Sequence, residues 1–260
     1  MNRENFLKCF DIEDKLVVSN LYEKICMCEK TNKIKYSELF LTPRIWRVVE
    51  QMHDRLPCEV KFEGVFSEAE RKYAIIRPYS ILDFNESMPI KVLRIKKQSK
   101  YNKLYHRNYL GSLVHLGLKR EVFGDLIIDE DKCYCPVIEK VSDFVRVNLD
   151  KINNVPVKVN LLDINTDELP EYSFFEKVIS VPSLRLDAII AASFNIPRGN
   201  AVATINGGGA FINYKKNYKN DYKIKENDII TLRGKGKLVV KDVIGQTKKG
   251  KLKLKIKIYN

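Results

Sequence analysis

Three consecutive glycines, Gly207 to Gly209, could do chemistry, because glycine-rich loops hold phosphates in nucleotide enzymes. Such a loop leads from a strand into a helix, so that the N-terminus of the helix faces the anion. Here the order is reversed, since the helical pattern 197–205 precedes the glycines and the apolar run 210–213 follows them. We therefore expect Gly208 or a neighbour to supply the left-handed residue that closes the helix.

Four of the six cysteines form two C-x-C pairs, Cys26/Cys28 and Cys133/Cys135, which could bind a metal ion. Structural zinc sites use a wider C-x₂₋₄-C spacing. The first pair also lies in a predicted helix, where residues two apart point to nearly opposite sides. The pattern favours free, buried thiols over metal binding, and we expect neither a metal ion nor a cofactor.

Charge is distributed in blocks along the 260 residues, which carry a formal net charge of +13. Residues 87–120 hold nine basic residues and no acidic one, and residues 181–260 hold 17 basic and five acidic residues. The segment between them, 121–180, holds six basic and 13 acidic residues. A general bias toward lysine would be spread evenly, so the two basic blocks indicate a polyanion partner, RNA or DNA.

Residues 1–80 are predicted to form a helical region that ends in a short β-hairpin. Apolar residues recur at three- and four-residue spacing through 12–25 and 42–52, which favours helices over residues 1–56. Two apolar runs, 58–66 and 71–77, read as the strands of the hairpin. Trp46, the only tryptophan, is expected to pack against the helices.

Residues 81–170 follow the order β-α-β-β-α-β, which is the ferredoxin-like pattern of many RNA-binding modules. The elements are predicted at 90–95, 104–118, 125–129, 133–138, 139–152 and 155–161. Modules of the RRM type stack bases on aromatic residues of their central strands. Because these strands offer only Tyr134, we do not expect base stacking on this sheet.

Residues 181–260 are predicted to form two short helices packed on a small sheet. The helices cover 184–194 and 197–205, and strands follow at 210–213 and 228–232. A hairpin of 237–244 and 251–259 ends the chain. The predicted fold class is therefore α+β with several domains: a helical N-terminal region, a ferredoxin-like central domain and a C-terminal helical hairpin on a sheet.

The C-terminal segment carries a pattern of specific residues: Arg185-Leu-Asp187, Arg198-x-x-Ala201, Ile205, Gly208, Ile212-Asn213 and Lys225-Glu-Asn-Asp-Ile-Ile230. In types and spacing it resembles the S4 RNA-binding domain. It departs from that pattern where Pro197 and Asn227 replace the usual Ser and Gly. Val202 and Ala203 stand where basic residues are common on the second helix.

A second set of motifs lies in the middle of the chain: Glu68-Ala-Glu-Arg-Lys72, His106-Arg-Asn-Tyr-Leu-Gly111, Leu116-Gly-Leu-Lys-Arg-Glu121 and Gly124-Asp125. It resembles the central domain of the YlmH family, with Asn108 in place of the usual Asp. The resemblance implies a cytoplasmic bacterial RNA-binding protein that acts on the ribosome. Some S4 relatives hold the large subunit with a stranded peptidyl-tRNA, which implies ribosomal RNA and tRNA as partners.

An RNA-modifying enzyme that carries an S4 domain is the alternative class. Pseudouridine synthases use an Asp that often lies in an Arg-Leu-Asp motif, and Asp187 lies in such a triplet. Here the triplet begins a helix, where a carboxylate suits the helix dipole. We therefore expect a binding protein and no enzyme. The N-terminus lacks a signal-type apolar core, so we expect a cytoplasmic chain, without membrane contact and monomeric when free.

The residues predicted to contact RNA lie in the two basic blocks. Arg185 and Arg198 are placed at helix N-termini, which favour anions, although Arg185 could instead pair with an acid. His106 could contact a base or a phosphate, or could simply begin its helix. The full set is Lys96, Lys97, His106, Arg107, Lys119, Arg120, Arg185, Arg198, Asn213, Lys215 and Lys216.

Alternation in Lys251-Leu-Lys-Leu-Lys-Ile-Lys-Ile258 places four lysines on one face of a strand and four apolar side chains on the other. Lysines on an edge strand discourage sheet-to-sheet aggregation, which is the interpretation favoured slightly. The alternative is a row of cations that contacts phosphates.

Overall fold

The computed structural model describes residues 1–81, 88–99, 101–166, 169–172 and 174–259, and the chain divides into two compact units. The first unit is Met1–Tyr172 and the second is Ser173–Asn260. The predicted α+β class is confirmed, since both units combine helices with sheets. None of the helices in the described part of the chain is both long and apolar enough to span a membrane.

The beginning of the first unit combines three helices with an antiparallel sheet in the order β1-β3-β2. The helices are α1 Arg3–Lys8, α2 Lys15–Thr31 and α3 Pro43–Glu50, and the strands are β1 Lys35–Leu41, β2 Glu59–Glu63 and β3 Lys72–Arg77. The predicted hairpin of β2 and β3 is confirmed. The helical prediction for residues 1–56 is wrong at β1, because this segment pairs its backbone with β3 instead of forming a helical turn.

Trp46 packs helix α3 against the rest of this region, and the predicted packing role is confirmed. The side chain is buried among core residues of α2 and β2, and its Nε1 donates a hydrogen bond of 2.8 Å to the carbonyl oxygen of Glu70. Lys72 Nζ lies over the indole, 4.2 Å from the ring centroid, in a cation–π contact. The tryptophan is therefore a packing residue.

The rest of the first unit is a five-stranded antiparallel sheet in the order β5-β6-β4-β8-β7. Its elements are β4 Ile90–Lys97, α4 His106–His115, β5 Ile127–Asp129, β6 Lys132–Ile138, α5 Glu139–Asn148, β7 Lys151–Ile152 and β8 Val155–Asp163. The four main strands have the order and directions of a ferredoxin-like sheet, as predicted. Strand β7 is a short edge addition.

One face of this sheet packs against both helices, and the other is partly covered by apolar side chains from elsewhere in the unit. Leu93 and Cys135 face α4 and α5, which contribute Leu113 and Val145 to the same core. On the other face Tyr134 is buried in a small cluster whose other buried members are Phe66, Val92 and Ile127. Tyr134 is therefore not an exposed stacking platform, in agreement with the sequence.

Asp125 joins two motif segments that are far apart in the sequence. Its Oδ2 accepts hydrogen bonds from the backbone N–H groups of Glu70, at 2.6 Å, and Arg71, at 2.9 Å. Burial, together with the nearby charge of Arg120, lowers the pKa of Arg71 to about 10. Asp125 therefore has a structural role, and its backbone partners belong to the turn before β3.

The second unit is a six-stranded antiparallel sheet in the order β11-β10-β12-β13-β14-β9, with two helices. Its elements are β9 Phe174–Val181, α6 Leu186–Phe194, α7 Arg198–Asn206, β10 Ala210–Ile212, β11 Lys215–Asn217, β12 Ile229–Leu232, β13 Gly236–Gln246 and β14 Leu252–Tyr259. Side chains of both helices share one core with alternate residues of the strands. Strand β9 has no counterpart among the predicted elements.

Strand β14 lies inside the sheet, between β13 and β9, and not at its edge. The edge-protection interpretation of its lysines is therefore wrong, because both backbone edges of this strand are already paired. The predicted alternation is correct in its apolar half: Leu254 and Ile256 are fully buried in the core.

The three glycines end a helix, as predicted. Helix α7 ends at Asn206, and Gly208 has φ +72°, the left-handed conformation that closes a helix at low cost only for glycine. A Cβ on Gly208 would also meet the ring of Tyr218 at 2.9 Å. The run therefore turns the chain from α7 into β10.

Replacing Asp125 with Ala should lower the free energy of unfolding of the first unit by about 1–3 kcal/mol, because two partly buried backbone donors lose their acceptor. Asp129→Ala is the control, since Asp129 is exposed at the end of β5. Urea unfolding followed by Trp46 fluorescence measures both variants. Equal stability of the two variants would contradict the role given to Asp125.

Candidate nucleic-acid interface

The N-terminus of α4 displays the His-Arg-Asn motif at the surface. His106 and Arg107 are exposed in its first turn, and Asn108 Oδ1 accepts a hydrogen bond of 2.9 Å from the backbone N–H of Tyr105. An Asp at position 108 would accept the same bond, which explains why Asn can stand there. Lys103 and Arg107 lie 5.4 and 5.9 Å from the centroid of the Tyr105 ring.

A groove of about 430 Å³ runs beside α4. It is lined on one side by Arg107, Gly111 and His115, which lie four residues apart on one face of the helix. The opposite side comes from the segment 148–153, which includes Lys151. The predicted site residue Arg107 thus lines the same groove as Lys151. The charge blocks of the sequence could not select Lys151, because it lies in the acidic segment.

The other predicted cations of the first unit lie apart from one another. Lys96 and Lys97 point to opposite faces of the central sheet, because they are adjacent in β4. Lys96 Nζ lies 3.7 Å from an oxygen of Asp131, and Lys97 Nζ donates a hydrogen bond of 3.3 Å to Asn102 O. Lys119 is exposed before the short 3₁₀ turn Arg120–Val122.

Arg120 has a structural role in this unit. Its Nη1 donates hydrogen bonds to the carbonyl oxygens of Phe123, at 2.7 Å, and Gly124, at 3.0 Å. Burial lowers the pKa of its guanidinium below the ordinary value. These bonds hold the segment that leads to Asp125, and an RNA contact by Arg120 stays a prediction.

In the second unit the carboxylate of Asp187 is held between two predicted RNA-binding arginines. Arg185 donates to its two oxygens at 3.1 and 3.2 Å, and Arg198 donates twice to Oδ2 at 3.1 and 2.9 Å. The side chain of Asp187 is only 3% exposed, whereas those of Arg185 and Arg198 are 37% and 51% exposed. The acid pairing weighed for Arg185 is thus present, and it fixes both guanidinium groups at the surface.

Burial by itself raises the pKa of Asp187, but the hydrogen bonds and charges of Arg185 and Arg198 outweigh it and hold the pKa below its ordinary value. The carboxylate therefore stays ionised at neutral pH. The arrangement ties the start of α6 to the start of α7, because Arg185 precedes α6 and Arg198 begins α7.

Asn213 also has a structural role. Its Nδ2 donates to Asp228 Oδ1 at 2.7 Å, and its Oδ1 accepts from the backbone N–H of Ile229 at 3.0 Å. Both ends of the amide are thus used inside the unit, and the residue holds φ at +48° between β10 and β11. Direct RNA contact by Asn213 stays a prediction.

The hairpin after Asn213 is basic and aromatic. Lys215 and Lys216 are exposed on β11, and the loop that follows it exposes two lysines and two tyrosines that the sequence reasoning missed, namely Tyr218, Lys219, Tyr222 and Lys223. The signal that could have found them is the regular alternation of tyrosine and lysine in Tyr214-Lys-Lys-Asn-Tyr-Lys-Asn-Asp-Tyr-Lys223. Lysines with interleaved aromatic rings are typical of nucleic-acid surfaces.

The cysteines of both C-x-C pairs are free thiols. Cys28, Cys133 and Cys135 are buried, and burial raises the pKa of each of these thiols. Across the described ranges, no group of three His, Cys, Asp or Glu side chains is placed to hold a metal ion.

Comparison with known proteins gives three similarities. Residues 84–166 match the family described as "Putative RNA-binding domain in YlmH". The chain is 28% identical over 212 residues to the ribosome-associated protein quality control protein P2 of Bacillus subtilis (strain 168). The aligned region covers 82% of each chain. The cell division protein ylmH from Streptococcus pneumoniae has a solved structure with a TM-score of 0.50 and 21% identity, covering 62% of this chain and 97% of that one.

These similarities confirm the resemblance to the YlmH family that the central motifs predict. At 21% identity the solved structure shows a shared fold alone. The S4 resemblance of residues 181–260 and the domain limits at 80, 170 and 181 stay predictions.

Replacing Asp187 with Asn should destabilise the second unit at neutral pH by about 1–3 kcal/mol, because two charged donors lose their anionic acceptor. The folded-state pKa of Asp187 is lower than its unfolded-state value, so its contribution is complete above the unfolded-state value. The contribution is lost as the pH falls through the folded-state value.

The difference in melting temperature between Asp187→Asn and the parent chain should therefore shrink on acidification from neutral pH. Asp242→Asn is the control, because Asp242 is exposed and lies on β13. Melting followed by circular dichroism at several pH values measures the difference. A gap that stays constant into strong acid would show that the charge of Asp187 does not stabilise the fold.

Proposed function

We propose, with the YlmH resemblance of residues 84–166 as the premise, that this chain is a non-catalytic RNA-binding protein that acts on the ribosome. Its RNA is ribosomal RNA, tRNA or both on the large subunit, and its role is the rescue or quality control of stalled translation. The observation that carries the proposal is a set of fixed, exposed cations in the second unit, joined to a central domain of RNA-binding type. The cytoplasm is the compartment that this role requires.

The name of the Bacillus subtilis relative supports the ribosomal part of this proposal. That protein is named as a ribosome-associated quality control protein, and the similarity extends over most of both chains. It therefore includes more than the central domain. This relative and the matched family are named for quality control and RNA binding and not for a reaction.

The geometry of Asp187 supports a binding role over catalysis. A catalytic aspartate of a modifying enzyme must reach the substrate base with a free carboxylate oxygen. Here both oxygens accept hydrogen bonds from arginines, and the side chain is 3% exposed. The carboxylate is therefore placed to orient Arg185 and Arg198, whose outward N–H groups can reach phosphates.

Affinity for ribosomal RNA should depend strongly on salt. If about six phosphates are contacted by the two basic blocks, the affinity should fall roughly 10³-fold between 50 and 200 mM salt. The measurement is a titration of large ribosomal subunits or of fragments of their RNA at several salt concentrations. An affinity that does not change with salt would contradict the proposal.

Changing Lys215 and Lys216 together to Gln should weaken RNA binding and make the salt dependence shallower, because up to two phosphates are no longer neutralised by a lysine. The slope of log affinity against log salt should become less negative by about 1.4–1.8. The matched control is Lys30→Gln/Lys33→Gln, which removes the same charge from exposed positions in the N-terminal region. Equal slopes for the two double variants would show that the β11 lysines do not contact the RNA.

A further inference from the structure

The sheet of the second unit has a face that α6 and α7 do not cover, here called the outer face. The helices pack on the side to which Leu238, Leu254 and Ile256 point. Residues directly opposite one another in an antiparallel sheet share a face, so the pairing register identifies the outer face. One row crosses all six strands in the order Lys216, Phe211, Thr231, Lys237, Tyr259 and Phe174.

On this face two lysines lie against aromatic rings. Lys237 Nζ lies 4.4 Å from the centroid of the Tyr259 ring, and Lys257 Nζ lies 3.3 Å from that of Phe174. Lys257 is 4% exposed, whereas Phe174 is 41% exposed. The ring of Phe174 thus contacts a lysine and still keeps part of its surface open to solvent.

The outer face is positively charged. It carries five lysines, Lys216, Lys237, Lys253, Lys255 and Lys257, as the register shows. Its acidic residues are Glu176 and Asp242, of which Glu176 pairs with Lys255 at 2.7 Å. Lys253 is exposed beyond this pair. The excess of cations selects an anionic occupant.

We infer that the outer face binds single-stranded RNA, with Phe174 and Tyr259 stacking on unpaired bases and Lys237 and Lys253 contacting phosphates. This inference rests on the proposed function, since it assigns part of the RNA to a second surface of the same unit. An exposed ring such as Phe174 on a basic sheet fits bases that are free of a duplex, because bases inside a double helix offer no face to a protein ring. An acidic protein segment would use the lysines but would gain little from the stacking rings.

The surface is separate from the arginine pair at the starts of α6 and α7. Those helices pack on the opposite face of the sheet, so an RNA strand on the outer face leaves the contacts of Arg185 and Arg198 unchanged. The second unit can therefore hold structured RNA and a single strand at the same time. A ribosomal complex offers both kinds of RNA.

The test compares Phe174→Leu/Tyr259→Leu with Phe175→Leu in the full chain. Phe175 is 46% exposed but pairs with Ile258, so it points to the other face of the sheet and is a matched control. The probes are a labelled single-stranded oligouridine of about 12 nucleotides, near the site sizes known for single-strand binders, and a labelled RNA hairpin. Circular dichroism melting establishes that each variant is folded.

The double variant should bind the single strand roughly tenfold or more weakly than the parent chain, while its affinity for the hairpin is unchanged. Phe175→Leu should match the parent chain with both probes. Equal losses of affinity in the two variants, or a parent chain that binds only the hairpin, would overturn the outer-face inference and leave the proposed function intact. A parent chain that binds neither probe nor ribosomal subunits would overturn both.

If the double variant does not fold, Lys237→Gln/Lys253→Gln provides the second test. The slope of log affinity for the single strand against log salt should become less negative by about 1.4, at roughly 0.7 for each phosphate that is no longer neutralised. A slope equal to that of Lys30→Gln/Lys33→Gln would overturn the inference.

Discussion

A β-sheet has two faces, and two short helices can cover only one of them. This constraint governs both units of the chain. In the first unit α4 and α5 cover one face of the five-stranded sheet, and Phe66 helps to cover the other. In the second unit α6 and α7 pack on one face of the sheet, and the other face carries most of the lysines and aromatic rings of its strands beside a few aliphatic residues. The uncovered face of the second sheet is the one that the outer-face inference assigns to single-stranded RNA.

Polar side chains at the motif positions mostly hold the backbone in place. Asp125 satisfies two backbone donors near β3, Arg120 satisfies two carbonyls before Asp125, and Asn213 closes the turn between β10 and β11. Each would be costly to replace, because buried backbone groups without partners destabilise a fold. These motif residues therefore stabilise the fold through hydrogen bonds to the backbone and to one another.

In the second unit the arginine pair Arg185 and Arg198 is held by a carboxylate instead of by the backbone. A guanidinium group on a free side chain must be ordered when it binds a phosphate, which costs conformational entropy. Asp187 reduces that cost for Arg185 and Arg198, since it holds both in place while each keeps part of its side chain exposed. The same bonds join the starts of two helices, so in the proposed function the stability of the fold and the placement of both arginines depend on one carboxylate.

The sequence by itself determined most of the element order. Periodicity and turn residues predicted the central βαββαβ order, the helix that ends before Gly208, and the hairpin that forms β13 and β14, because these features depend on local backbone preferences and on alternation. Charge blocks predicted an anionic partner, and motif spacing predicted the YlmH resemblance. Strand β1 was not predicted, because its apolar residues do not alternate with polar ones and only its pairing with β3 makes it a strand.

Only the tertiary structure decided what the individual side chains do. Whether the lysines of β14 protect an edge depends on the strand order, and no local pattern shows that β9 pairs on the far side. Whether Arg198 faces an acid or a phosphate depends on where the start of α7 lies relative to α6, because the acid that it contacts is Asp187 of α6. Burial, partners and sheet neighbours come from contacts between distant segments, and the sequence contains those segments without placing them together.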